Sequence, residues 1–326
     1  MTGTGRQLRG ANPPLVALVG GSGFLGRYVA QELMRSGARV RVVSRDPGRA
    51  SYLRPLGGLG QIDFVPANLG RPETLERAVR GADAVVNLVG VLKGDFLASH
   101  VEGPEALAHA AAQAGATSFV HVSAIGADPD SPSAYGRSKA EGEARVRAAL
   151  PQASILRPSI LFGREDGFVN RFARLLKFAP AVPVVRGAAR FQPAFVAETA
   201  EAIAKAALDG HRYGARTFEL GGPEVITMRQ LIKYIGETIG YPRPLIDVPD
   251  LIAGPMARWT GWLPGAPITG DQYLMLTRDN VVSPVSEGFG TFGIAPTPLA
   301  AVAESYLTQY RKHGRFADRR HESATT

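Results

Sequence analysis

Tyr135 and Lys139 stand four residues apart in Tyr135-Gly136-Arg137-Ser138-Lys139. On a helix that spacing places both side chains on one face. An ammonium beside a phenol favours the tyrosinate and lowers the phenol pKa, so the tyrosine could act as acid or base in hydride transfer to a carbonyl. The lysine could also hold the ribose of a nicotinamide. Ser123 lies 12 residues before Tyr135, at the end of an apolar run, where its hydroxyl could polarise a substrate carbonyl. Capping the strand end or bonding the ribose is the plainer role for the same hydroxyl. Tyr-x-x-x-Lys is a weak signal in isolation. Its weight comes from its position, directly after a strand of a nucleotide-binding pattern.

That pattern opens at Leu15-Val16-Ala17-Leu18-Val19-Gly20-Gly21-Ser22-Gly23-Phe24-Leu25-Gly26. The Val- and Leu-rich run reads as a buried parallel strand, and Phe24 to Met34 reads as a helix with Leu25, Val29 and Leu33 at i, i+4 and i+8, stopped by Gly37. Gly20, Gly23 and Gly26 at the joint are spaced G-x-x-G-x-x-G. Glycines there let the backbone approach a dinucleotide pyrophosphate, which rests on the free N–H groups and positive end of the helix. A second strand, Val40 to Arg45, ends where the cofactor is chosen. An acidic side chain at that point binds the ribose 2′-hydroxyl of NAD, and an arginine accommodates the 2′-phosphate of NADP. Ser44 and Arg45 there favour NADP(H). NAD(H) is the alternative, with Arg45 merely solvated and Asp46 turned to the ribose.

Further strands follow at Ile62–Pro66, Ala84–Gly90, Ser118–Ser123, Ser154–Arg157 and Thr217–Leu220, with helices at Pro72–Arg80, Glu102–Ala114 and Glu198–Leu208. Repeated β-α alternation with short connections predicts an α/β, Rossmann-type doubly wound parallel sheet, its ligand at the carboxyl ends of the strands. The expected nucleotide contacts are Gly20, Gly21, Ser22, Gly23, Phe24, Leu25 and Gly26 in the loop. Ser44 and Arg45, Asn68 and Leu69 near the adenine, Val89 and Gly90, Val122 and Ser123, Tyr135, Lys139 and Pro158 complete the set. Helices are also expected at Phe168–Phe178, Met228–Ile239 and Leu299–Arg311, around an extended stretch at 191–196. The boundaries are a disordered tail at 1–12, the dinucleotide-binding domain at 13–160 and 194–222, a C-terminal substrate or partner lobe at 161–193 and 223–314, and a polar tail at 315–326.

The chain has 326 residues, is 45% hydrophobic and 20% charged, and carries a formal charge of +8. Its basic residues are scattered rather than interleaved with aromatics, so nucleic acid is not an expected partner. A dinucleotide phosphate, an acidic partner or a membrane surface accounts for the charge equally well. With no cysteine, disulfides, thiolate metal sites and cysteine nucleophiles are excluded. No apolar run reaches the roughly 18–20 residues of a membrane-spanning helix, and Met1–Arg9 lacks the hydrophobic core of a secretory signal. The histidines, His100, His109 and His121 among them, show no metal spacing and read as structural or solvated; no metal is expected. Glu141 and Glu143 are placed on the outer side of an amphipathic helix, with no acid–base role. Leu251 to Leu263, with Met256, Trp259 and Trp262, suits either core packing or docking at a membrane interface or on a hydrophobic partner.

The glycine pattern, Tyr135-x-x-x-Lys139 and Arg157-Pro158-Ser159-Ile160-Leu161-Phe162-Gly163 resemble an atypical, extended short-chain dehydrogenase/reductase. Within that superfamily the chain resembles the NAD(P)H-binding accessory subunit of respiratory complex I and its alphaproteobacterial relatives. Ser133 to Glu143, Gly163 to Phe172, Phe191-Gln192-Pro193 and Asp279-Asn280-Val281-Val282 match further, over about residues 13 to 315. The resemblance implies tightly held NADPH with a structural role, assembly with NADH:quinone oxidoreductase subunits, and a place on the cytoplasmic face of a bacterial inner membrane, or the matrix side in a eukaryote. Many mitochondrial members lack the motif tyrosine. Its presence here keeps a second reading open, a free-standing NADPH-dependent reductase or epimerase with Tyr135 as acid–base and Lys139 as its tuner. The short spacing from Ser123 to Tyr135 weighs against carrying over a catalytic serine.

Overall fold

The computed structural model describes residues 12–260 and 268–311. Of the expected tail at 1–12 only Asn12 is described; the tail at 315–326, residues 261–263 with Trp262, and the side chains of Met256 and Trp259 lie outside the described residues. The first half alternates as read: β1 (Leu15–Val19), α1 (Phe24–Arg35), β2 (Arg39–Ser44), β3 (Ile62–Pro66), α2 (Pro72–Val79), β4 (Ala84–Asn87), α3 (Gly103–Gln113), β5 (Ser118–Val122), α4 (Ala134–Ala149) and β6 (Ser154–Pro158). Then come β7 (Leu161–Phe162), α5 (Val169–Phe178), β8 (Val182–Val185), β9 (Arg190–Phe191), β10 (Ala194–Phe195), α6 (Val196–Leu208), α7 (Gly210–Tyr213), β11 (Thr217–Leu220), β12 (Ile226–Thr227), α8 (Met228–Ile239), β13 (Leu245–Val248), α9 (Asp250–Thr260), α10 (Gly270–Met275) and α11 (Leu299–Leu307).

Seven strands form one sheet in the order β11-β6-β5-β4-β1-β2-β3, parallel throughout. Apolar runs suit such strands because both faces are covered. In β1, Val16 and Leu18 face one core, and Ala17 and Val19 face the other. The first core holds α1 and the alanine-rich α6, whose small side chains let the two helices approach. The second holds α2, α3 and α4. Each fully buried Val or Leu contributes about 1.5–3 kcal/mol relative to exposure.

A third core gathers Phe162, Leu176, Val182, Phe191, Leu231, Ile235 and Leu307. It draws on 161–191 together with α8 and α11, and two-stranded pairings (β7 with β10, β9 with β12, β8 with β13) hold its rim. The expected lobe at 223–314 is interrupted, however. Phe289, Phe292 and Ile294 return to the sheet core, where Phe292 stacks on Tyr213 at 4.7 Å. Apolar residues near α6 complete that core better than solvent would. Two helix limits also differ. A π-helical segment, Leu97–Glu102, precedes α3, and the last helix tightens into a 3₁₀ turn at Thr308–Tyr310. Among the described residues no helix is long and apolar enough to cross a membrane.

Candidate nucleotide site

Strand order reverses at β1, where β2 and β4 lie on either side, and the crevice beyond the carboxyl ends of such strands is where open α/β sheets bind ligands. The glycine loop lies at its edge, directly after β1. Gly20 adopts φ +82°, a region that favours glycine, and its N–H donates to Val43 O at 2.9 Å. A Cβ on Gly20 would lie 3.1 Å from Val89 Cγ2, and one on Gly26 would lie 2.4 Å from Gly21 O. The first glycine thus makes the turn and the third lets α1 close against it. Helix α1 has no side-chain N-cap and no acidic residue in its first turn, which leaves its leading N–H groups and positive end to an anion.

At the adenosine end, Ser44 is buried and its Oγ has no hydrogen-bond partner. Arg45 beside it is exposed. Asp46 accepts from Gly48 N–H at 3.1 Å and caps the 3₁₀ segment Pro47–Leu56. From that segment Tyr52 donates to Ser22 O at 3.2 Å, and the Arg27 guanidinium lies 4.5 Å over the Tyr52 ring. Arg27 pairs with Glu165 at 2.8 Å, and Tyr28 donates to the other oxygen of the same carboxylate at 2.8 Å. Asn68 is half-buried and its Oδ1 receives Gly70 N–H at 3.1 Å. Leu69 is a core side chain, packed where a Cβ on Gly103 would lie 2.6 Å away.

At the opposite end Lys139 is 2% exposed and donates to Val122 O at 3.1 Å. Its Nζ is 3.5 Å from where a Cβ on Gly90 would stand, so β4, β5 and α4 meet at this ammonium. Burial pushes its pKa down to about 8, with Glu143 opposing the shift. Ser123 is buried with an unpartnered Oγ, and Pro158 O receives Ile125 N–H at 3.1 Å.

The expected lowering of the Tyr135 pKa is overturned. Burial pushes the phenol up to about 12. Its ring stands edge-on to His100 at 5.3 Å and to Phe96 at 6.1 Å, while the Lys139 ammonium gives one of its three N–H donors to Val122 O. Glu143 is also corrected. Rather than facing outward it is 6% exposed and joined to Arg157, because α4 lies flat on the sheet and turns this residue toward β6.

Sequence reasoning missed what holds Tyr135 in place. His100 Nε2 accepts Val91 N–H at 3.0 Å, and its Nδ1 lies 2.9 Å from Ser138 Oγ, which donates to Tyr135 O at 2.9 Å. Since Nε2 accepts, the neutral ring carries its proton on Nδ1. Burial, reinforced by Lys139, pulls the His100 pKa down to about 4. A Cβ on Gly142 would stand 1.8 Å from His100 O, so glycine is required where the π-helical segment crosses α4. Deeper in the sheet, His121 Nδ1 meets Asn87 Nδ2 at 3.1 Å. No local signal marks these contacts. Among the described residues no group of His, Asp and Glu could hold a metal ion.

Residues 16–221 match the NAD dependent epimerase/dehydratase family. Over 315 residues the chain is 35% identical to NADH dehydrogenase (ubiquinone) 1 alpha subcomplex subunit 9, mitochondrial, of Mus musculus, covering 92% of this chain and 81% of that protein. It is 30% identical over 302 residues to the NADH-ubiquinone oxidoreductase 40 kDa subunit, mitochondrial, of Neurospora crassa, covering 91% and 80%. The chain belongs to the NAD-dependent epimerase/dehydratase family, alongside these subunits. In this epimerase/dehydratase-family chain the fold is also that of an NADPH-dependent quinone oxidoreductase from Escherichia coli complexed with NADPH. That match has a TM-score of 0.72 at 20% identity, covering 90% of this chain and 99% of the other.

The residues present fit the family's dinucleotide. A glycine cradle that Cβ atoms would fill lies between two buried, unpartnered hydroxyls, Ser44 Oγ at one end and Ser123 Oγ at the other. When bound, a nicotinamide dinucleotide would supply a hydride donor or acceptor. The residues that would hold it are the leading N–H groups of α1, for the diphosphate, and Lys139 at the far end.

Proposed function

We propose that this chain binds NADP(H) as a long-lived structural ligand and serves as an accessory or assembly subunit of an NADH:quinone oxidoreductase. One observation carries the reading. The cradle is intact, but burial pushes the Tyr135 phenol up to about 12, away from acid–base work near neutrality, and Lys139 gives one of its three N–H donors to Val122 O. A residue meant to exchange a proton near neutrality would need a pKa near 7. The names and coverage of the Mus musculus and Neurospora crassa relatives support the subunit role. Arg45 exposed beside the free Ser44 hydroxyl, with Asp46 occupied as a cap, supports NADP(H) over NAD(H). A nucleotide held at 100 times its dissociation constant stabilises its host by about 2.7 kcal/mol, enough for a structural role.

Docking is assigned to 251–263. At the start of α9, Leu251 is 87% exposed and Ile252 57%, while Ala253 and Ala257 are buried. An apolar face turned outward suits the surface of a membrane or a hydrophobic subunit, with the protein peripheral on the cytoplasmic or matrix side.

Fractionation of native host membranes by size, following this chain beside NADH dehydrogenase activity, tests the proposal. Co-migration with the large active particle is expected, and Tyr135→Phe is expected to keep both nucleotide and particle. Migration as a small soluble species overturns it. The free Ser123 hydroxyl favours a second reading, a carbonyl reductase. NADPH oxidation by purified protein on a carbonyl substrate, lost in Tyr135→Phe, would establish that one instead.

A further inference from the structure

Helix α4 carries Tyr135 and Lys139, and part of its first turn is capped by a distant residue. Ser133 is the local cap, its Oγ accepting Gly136 N–H at 3.0 Å. The N–H groups of Ala134 and Tyr135 both donate to a single carboxylate, Asp271, at 2.6 Å to Oδ1 and 3.1 Å to Oδ2. Asp271 is 136 residues beyond Tyr135 in sequence, on α10. A carboxylate in that position satisfies two orphan donors and sits at the positive end of the helix dipole.

The element that delivers Asp271 is itself tied down. Thr269 and Gln272 form a reciprocal capping box on α10. Tyr273 donates to Asp250 Oδ1 at 3.1 Å, at the head of α9, and its ring lies 3.4 Å from where a Cβ on Gly254 would stand. Arg186 pairs with Asp250 at 2.9 Å and lies 5.4 Å over the Tyr273 ring. Just beyond α10, Arg278 pairs with Asp128 and donates to Asp130 O at 3.2 Å, both in the loop leading into α4. An unbroken set of contacts therefore joins the Tyr135 backbone to the helix that presents Leu251 and Ile252.

We infer that Asp271 is a positioning residue that couples the nicotinamide end of the nucleotide site to the α9–α10 segment. A dinucleotide seated against Lys139 fixes the first turns of α4, and α4 fixes α9–α10 through this carboxylate. By linkage, whatever docks on α9 tightens the nucleotide by the same factor. The inference rests on the nucleotide binding proposed above.

Hydrogen–deuterium exchange on the full-length protein, with and without NADPH, tests it. In the wild type, NADPH is expected to slow exchange in peptides from the glycine loop and in peptides spanning 248–278. In Asp271→Ala the slowing persists at the glycine loop and disappears from 248–278, and the NADPH dissociation constant rises about five-fold or more. Asp271→Asn keeps one acceptor oxygen and falls between the two, which guards against a misfolded alanine variant. Asp247→Asn, which breaks the exposed pair with Arg229 in the same lobe, leaves both responses in place. If NADPH protects the glycine loop but not 248–278 in the wild type, or protects 248–278 equally in Asp271→Ala, the coupling is overturned and nucleotide binding stands. Absence of protection at the glycine loop overturns the nucleotide reading and the coupling with it.

Discussion

Arg157 and Glu143 meet through two hydrogen bonds, Nε to Oε1 at 2.9 Å and Nη2 to Oε2 at 2.6 Å. Arg157 lies on β6 and Glu143 on α4, one turn beyond Lys139. The guanidinium also reaches Glu219 on β11 at 3.5 Å, so one cation pins a helix to two neighbouring strands. The planar, two-point geometry makes this the strong form of an ion pair.

Removing one partner should therefore be expensive. Glu143→Ala is expected to lower unfolding stability by about 1.5–3 kcal/mol, since it removes two charged hydrogen bonds and leaves the half-buried guanidinium only its 3.5 Å contact with Glu219. Urea unfolding at pH 7 reads this directly. A loss below about 1 kcal/mol would assign the pair the weight of a surface contact.

Lys139 should show the opposite trade. Its ammonium titrates at about 8 in the fold against 10.5 when free, because burial disfavours the charge. The unfolded chain therefore holds the proton more tightly than the fold does. This penalty is fully present below pH 8 and vanishes as pH rises past 10.5. Lys139→Met is accordingly expected to raise the stability of the nucleotide-free protein by on the order of 1 kcal/mol, after the lost bond to Val122 O is subtracted. The same variant should lose most of the rise in Tm that NADPH produces. Thermal melts with and without NADPH check both halves, and a destabilised apo variant would contradict the account.

The buried histidines set the acid side of the stability profile. His100 titrates at about 4 against 6.5 when unfolded, and His121 is also held well below 6.5, burial being the main cause in each. Between those values the unfolded state binds more protons than the native state, so stability is complete above pH 6.5 and falls as pH drops toward 4. His100 should account for on the order of 2 kcal/mol of that fall. Unfolding midpoints from pH 7 to 4 should slope downward in the wild type and more gently in His100→Gln. Parallel profiles would show that His100 takes up no proton on unfolding in this range.

The strands, the α1 face and the glycine turn were legible because each is written in contiguous residues: an apolar run, a 3.6-residue period, glycines at a joint. Tyr135 and Lys139 were legible as a motif, but not as a working pair. The rise in the Tyr135 pKa comes from burial, and the rings packed on it, Phe96 and His100, belong to an earlier segment that crosses α4 at Gly142. Glu143 was read as outward-facing because its partner is on a separate strand. Arg27, Tyr52 and Glu165 around the glycine loop, and Asp271 at the head of α4, left no local trace for the same reason. Asp279-Asn280 did stand out as a stretch, and its role is visible only in three dimensions. Asp279 pairs with Arg190 at 2.6 Å, and the Asn280 amide accepts from Ser159 at 2.6 Å while donating to Ile125 O at 3.2 Å.

The backbone leaves the sheet after β6, returns at α6, leaves again after β11, comes back to lay Phe289 and Phe292 on the sheet core, and departs once more for α11. The lobe is consequently sewn to the sheet and cannot be unclipped from it. No single cut releases it whole, and truncation at any of these seams would strip residues from both hydrophobic centres together. Trimming to a minimal nucleotide binder should fail, and exchange of lobes between relatives would have to carry every seam at once.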